Sequence, residues 1–188
     1  MILKLCVRLK AEDIVTTLCI ALLWIIGAQI GFHFSLNQGF QTTLLWIPSG
    51  LAVAGLLWRG NRAVPGLFLG AFTTSIAQFH MLSPGALSAI AIIGSFAVIG
   101  GGAITAYLMR RLTATAPVWG SARDMMIGTG CMAIGSAIPA LVNTGLLDVL
   151  GLVPEGAVPG AIGIYWLGEF GGMTVFTAPL FIAYNWVS

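Results

Sequence analysis

The sequence predicts an all-α fold: a polytopic membrane protein, a bundle of about six transmembrane helices with both termini on the cytoplasmic side. Composition, the spacing of the charges and their distribution between loops carry that expectation. Of the 188 residues, 58% are hydrophobic and 7% charged, with a mean hydropathy of +0.98. A soluble domain carries about 25% charged residues. Eight Lys and Arg with six Asp and Glu cannot cover a water-soluble surface for 19.7 kDa of protein. No charged side chain occurs in 14–58, 63–109 or 125–147, and 156–188 holds only Glu169. A spanning helix takes about 20 apolar residues, so the first two stretches hold two helices each and the others one each. Polar–apolar alternation over about ten residues, the mark of an outer-membrane barrel, is absent.

The first helix, 14–34, has an apolar run longer than a signal-peptide core and no A-x-A-like site after it, so it stays as an anchor. The second, 41–58, contains Pro48 and ends at a turn around Asn61. The third, 64–81, opens with Pro65, and Ser83, Pro84 and Gly85 separate it from the fourth, 86–110. Pro117 lies before the fifth helix, 122–147, while Pro154, Pro159 and Gly160 precede the sixth, 161–187. These breakers mark the connections, and residues 1–188 form one integral membrane domain. Lys4, Arg8 and Lys10 precede the first helix. Arg59 and Arg62 join the second to the third, and Arg110, Arg111 and Arg123 join the fourth to the fifth. All eight basic residues thus fall on one side, which the positive-inside rule makes cytoplasmic. The membrane expected is the bacterial cytoplasmic one.

Small residues describe the packing. Gly27/Gly31, Gly66/Gly70 and Gly168/Gly172 are i, i+4 pairs that let helix backbones approach closely. Gly100, Gly101 and Gly102 weaken the fourth helix and permit a bend. Pro48 and Pro139 interrupt the second and fifth helices and free carbonyls that neighbours or water must satisfy. Trp46, Trp58, Trp119, Trp166 and Trp186 fall near helix ends, where an aromatic belt accounts for them.

Soluble catalytic signatures are missing, so no enzyme is expected. Cys6, Cys19 and Cys131 lack the spacing of a disulfide framework or a zinc site. The short basic clusters are topogenic and give no nucleic-acid partner. The partners expected are the lipid bilayer and a protein or output domain in cis or in trans.

Glu169 is the exception among these spans. It lies about 12 Å along its helix from the outer end at the helical rise. A carboxylate there costs several kcal/mol unless it is paired, hydrated or protonated, and no span offers a basic partner. It should face the bundle interior or a water-filled cavity, as a ligand site or as a protonated packing residue. Gln29 and His33 share a face at i, i+4, as do Thr74 and Gln78. Ser136, Ala140 and Asn143 form a stripe on the fifth helix, and Tyr165, Gly172 and Met173 share the face of Glu169. Polar groups thus concentrate in the outer leaflet, with Glu169, His33, His80, Asn143 and Gln29 as candidate ligand-binding residues. Terminal histidines also suit the headgroup region. Two imidazoles can ligate a metal or a porphyrin-type group, but no spacing pairs His33 with His80, so no metal or cofactor is assigned.

The second helix brings a wider pattern. Leu45-Trp46-Ile47-Pro48-Ser49-Gly50-Leu51-Ala52, followed by Pro65-Gly66-Leu67-Phe68-Leu69-Gly70-Ala71-Phe72, resembles the MASE1 family of bacterial membrane-integral sensory domains. Tyr165-Trp166-Leu167-Gly168-Glu169-Phe170-Gly171-Gly172 and Ala178-Pro179-Leu180 are similar to its W-W-L-G-D-x-x-G…A-P-L blocks. Ile47 stands in place of a proline, Val64 of a tryptophan and Glu169 of the usual aspartate. The resemblance makes Trp46, Pro48, Gly50, Pro65, Gly66, Gly70, Trp166, Gly168 and Pro179 motif positions. It implies about eight membrane helices followed by a cytoplasmic kinase, cyclase or phosphodiesterase module, whereas 1–188 holds six spans and no such module. Three functions follow: a sensory module coupling an outward-facing polar pocket to a cytoplasmic output, a non-catalytic accessory subunit of a membrane complex, and the substrate-binding component of a transporter.

Overall fold

The computed structural model describes residues 11–33, 35–37, 41–43, 45–113 and 121–187, without the side chains of 35–37, 41–42 and 181–187. Lys4, Cys6, Arg8, Lys10, Pro117 and Trp119 lie outside the described residues. The chain runs α1 (Ala11–His33), β1 (Ser35–Asn37), β2 (Gln41–Thr43), α2 (Ile47–Arg59), a 3-10 turn (Gly60–Ala63), α3 (Val64–Phe79), α4 (Pro84–Leu112), α5 (Ala122–Val149) and α6 (Val158–Val187). Apart from the antiparallel β1–β2 hairpin, in which Ser35 faces Thr43 and Asn37 faces Gln41, the elements are helical. By length and composition α1, α4 and α5 are each able to cross a membrane.

The start signals act as the residue types dictate. Pro84 sits in the first turn of α4, where its missing N–H costs nothing. Ser121 caps α5 by accepting from Asp124 N at 3.1 Å.

Helix α2 departs from the expectation. The sequence predicts it over 41–58, but Gln41–Thr43 pairs with β1 and the helix begins at Ile47. Pro48 does not interrupt it; Pro48 lies in its first turn, where a fixed φ is pre-organised for helix. The helix is 13 residues, about 20 Å long, against about 30 Å of hydrocarbon in a bilayer.

The remaining helices close around this short one. Neighbours follow the order α1, α3, α4, α5, α6, α2 and back to α1, and α2 also reaches across to α4. Every residue from Pro48 to Leu56 is buried, as befits a helix apolar on all sides. On one flank Leu51, Ala52 and Leu56 pack with Trp24, Leu67, Val98 and Ala106. On the other Val53 joins Met109, Met132 and Met173.

Glycines set the close crossings. A Cβ at Gly70 would stand 2.5 Å from Trp24 Cβ, and one at Gly66 would stand 2.7 Å from Thr17 O, so α3 lies against α1 backbone to backbone. The glycine triplet does not divide α4, which is a single helix over Pro84–Leu112. Gly101 meets the Gly135 carbonyl and the Pro139 ring, while Gly102 meets Ala52. Pro139 sits inside α5 and frees the Gly135 carbonyl, the group that Gly101 approaches. The outward faces carry large apolar side chains such as Leu18, Leu22 and Ile26 on α1 and Phe96, Ile104 and Tyr107 on α4. Those faces suit contact with lipid.

Candidate functional site

The shortness of α2 leaves space above its first turn, and that space is a cavity of about 90 Å³. One water needs about 10–15 Å³, so there is room for several waters or a small molecule. Its walls come from the C-terminal ends of α1 (Phe32), α3 (Gln78, Phe79) and α5 (Asn143, Leu147), and from the N-terminal parts of α4 (Ile90, Gly94) and α6 (Tyr165, Glu169). Trp46 and Thr43 contribute from the connection into α2, and Trp24, Thr74 and Ser95 line the deeper part. All of these lie at the end of the bundle away from Arg59, Arg62, Arg110, Arg111 and Arg123, which sit at the other ends of the same helices or in their connections.

Local backbone chemistry fixes Glu169 beside the start of α2. Trp46 N donates to Gly168 O at 2.9 Å, and Ser49 Oγ donates to Trp46 O at 2.6 Å and to Glu169 O at 3.0 Å. A Cβ at Gly50 would stand 2.6 Å from Gly172 O, and one at Gly172 would overlap the Trp46 carbonyl. The Trp46–Gly50 segment and the Gly168–Gly172 segment are thus one interlocked unit, and only glycine permits the approach.

Within that unit the Glu169 side chain is 1% exposed; the Ser49 hydroxyl lies beside it but is turned to the two carbonyls, so neither carboxylate oxygen has a well-formed hydrogen bond among the described residues. The same holds for Trp24 Nε1, on a residue equally buried and lining the same cavity. Asn143 Nδ2 donates to Tyr165 Oη at 3.0 Å, joining α5 to α6 across the wall. Thr74 and Ser95 turn their hydroxyls back to their own helices, onto Gly70 O at 2.8 Å and Ala91 O at 2.5 Å. No Lys or Arg lines the cavity. A buried polar group without a partner is costly, and here an acceptor and a donor of that kind belong to two residues of one cavity wall, the polar atoms themselves almost wholly covered.

Of the five candidate ligand-binding residues, the structure brings Glu169 and Asn143 together and leaves three outside. Gln29 and His33 are exposed on α1, whose buried face is Ile20, Trp24, Gly27, Ala28 and Gly31. His80 is exposed beyond α3, with Nδ1 2.9 Å from Ala77 O. Thr74 and Gln78 do line the cavity on their shared face, as does Tyr165 on that of Glu169. Ser136 and Ala140 are fully buried below Asn143.

The aromatic belt does not describe two of its tryptophans. Trp46 is a cavity wall, and Trp166 Nε1 donates to Ala133 O at 2.9 Å, tying α6 to α5. Trp24, Phe32 and Phe79 are walls that sequence reasoning missed. Trp24 carries a signal that was available: it is the one tryptophan placed in mid-span on the small-residue face of its helix. Among the described residues no group of three His, Cys, Asp or Glu is placed to hold a metal ion.

Compared with known proteins, the chain matches the model of the MASE1 family over residues 16–188. No curated protein and no solved structure matches it.

Proposed function

Because the chain belongs to the MASE1 family of membrane-associated sensory domains, we propose that it is a non-catalytic sensory module of the bacterial cytoplasmic membrane. In this reading the chain crosses the bilayer six times, with the short α2 helical over only part of its crossing, both termini are cytoplasmic, and the Glu169 cavity opens outward. One observation carries it: a carboxylate that is 1% exposed and unpartnered borders a cavity away from every described arginine. Intramembrane ionisable groups of this kind mark ligand or ion sites.

The route to the cytoplasmic side is short. Occupancy beside Trp46 bears on the first turn of α2, whose other end is held by Arg110. That guanidinium donates to Leu56 O at 2.7 Å and to Leu57 O at 2.9 Å. A change at the cavity thus reaches α4 and the turn at 60–63 through one 13-residue rod. The output is a domain or partner on the cytoplasmic side.

The test places a bimane fluorophore on Asn61→Cys, in that exposed turn. Glu169→Gln keeps shape and hydrogen-bonding capacity while removing the charge. The expected result is a shifted emission at unchanged folded yield. Identical spectra would show that the cavity and the turn are uncoupled.

A further inference from the structure

The groups around the cavity also define what it would take, a reading that rests on the proposed sensory role. The Glu169 carboxylate, buried in the wall, has beside it only the Ser49 hydroxyl, which is already given to the Trp46 and Glu169 carbonyls, and no lining residue carries a positive charge. The indole N–H of Trp24, on the same wall and equally covered, has nothing to donate to among the described residues. Trp24, Phe32, Trp46, Phe79 and Tyr165 supply aromatic rings around them. Ring faces attract cations, most of all where water is excluded. We infer that the cavity binds a small organic ammonium bearing an oxygen acceptor, with the ammonium against Glu169 and the acceptor against Trp24 Nε1.

The inference accounts for both orphaned groups with one molecule, and the size limit follows from the 90 Å³ available. An anion would meet the Glu169 carboxylate without a counter-charge. A neutral apolar molecule would leave both orphaned groups unsatisfied. The ammonium can come from a free amine or from the headgroup of an ethanolamine lipid, since the two share that chemistry.

The experiment follows thermal unfolding of the purified full chain in detergent while ethanolamine, tetramethylammonium, 1-propanol or glycolate is added. Ethanolamine should raise the melting temperature saturably and tetramethylammonium less strongly, whereas 1-propanol and glycolate should not. Glu169→Gln should abolish the rise, and Trp24→Phe should weaken the apparent affinity for ethanolamine about fivefold, the worth of one hydrogen bond. The comparison of ethanolamine with 1-propanol on the unaltered chain stands even if a variant folds poorly. In nanodiscs of phosphatidylethanolamine the added amine should lose its effect if the headgroup is the occupant, and should keep it if a free amine is. The same rise with 1-propanol, no rise with either ammonium, or an equal rise in Glu169→Gln would overturn the inference. Stabilisation by glycolate alone would overturn the ammonium while leaving an occupied cavity. Failure of any outside reagent to reach Ser75→Cys, on the cavity wall, would instead overturn the sensory reading itself.

Discussion

Single residues in this bundle divide by what their polar atoms meet. The side-chain polar atoms of Glu169 and Trp24 have no well-formed hydrogen bond among the described residues, whereas Trp166 and Asn143 tie α5 to α6. Removing the Trp166 bond with Trp166→Phe should lower stability by about 1 kcal/mol, read from reversible unfolding in mixed micelles. No change would mean that Ala133 O is equally well served by water. Glu169→Leu should fold at least as well as the unaltered chain, because it removes a buried carboxylate that has no well-formed hydrogen bond, and Glu169→Gln should fold normally. A marked loss of folded yield in Glu169→Leu alone would show that the carboxylate holds the wall together. Glu169 was legible in the sequence because a lone carboxylate in an apolar span is costly anywhere. Its neighbours on the cavity wall were only half legible. Helical spacing identified Tyr165, Thr74 and Gln78, which lie on the faces their periodicity predicts. The same spacing also grouped Gln29 with His33, and nothing in a spacing says whether a face looks inward or at lipid.

At the scale of elements, α2 decides the architecture. Its sequence reads as a full span because 41–58 is apolar and uncharged, yet the helix starts at Ile47. The backbone of Trp46 is taken up by Gly168 O, and the residues before it pair in the hairpin. Gly168 is distant in sequence, so composition could not announce a break at Trp46. Gly172→Ala should test the interlock. Its Cβ would overlap the Trp46 carbonyl, which is backbone and cannot swing aside, at a cost of about 3 kcal/mol in unfolding experiments. A neutral Gly172→Ala would mean that α2 and α6 can separate freely. The α1–α3 crossing allows a parallel test. Gly70→Leu should sharply lower the yield of folded protein in mild detergent, because Trp24 occupies the space. Leu69→Ala, on an exposed position of the same helix, should leave that yield intact. A tolerated Gly70→Leu would place this face against lipid. The glycine pairs were readable as contacts, but the partner that each would meet was not.

For the whole molecule, the up-and-down course of the helices places the described arginines at one end and the cavity at the other. In the proposed topology, which rests on the positive-inside rule, the cavity opens outward. With the native cysteines replaced, Glu155→Cys should react with an impermeant thiol reagent added to intact cells, and Asn61→Cys should react only after the membrane is opened. The reverse pattern would invert the six-span topology. The helical membrane class was the most legible level of all, since the burial cost of charges in hydrocarbon acts on composition directly. The account stands most directly on whether the space beside Glu169 is open to the outside. Ser75→Cys lies on its wall and Ile76→Cys on the neighbouring exposed face. Treatment of intact cells with a small impermeant thiosulfonate carrying an ammonium group should label Ser75→Cys and spare Ile76→Cys, and added ethanolamine should slow the labelling. Labelling of Ser75→Cys only from the cytoplasmic side, or not at all, would contradict it.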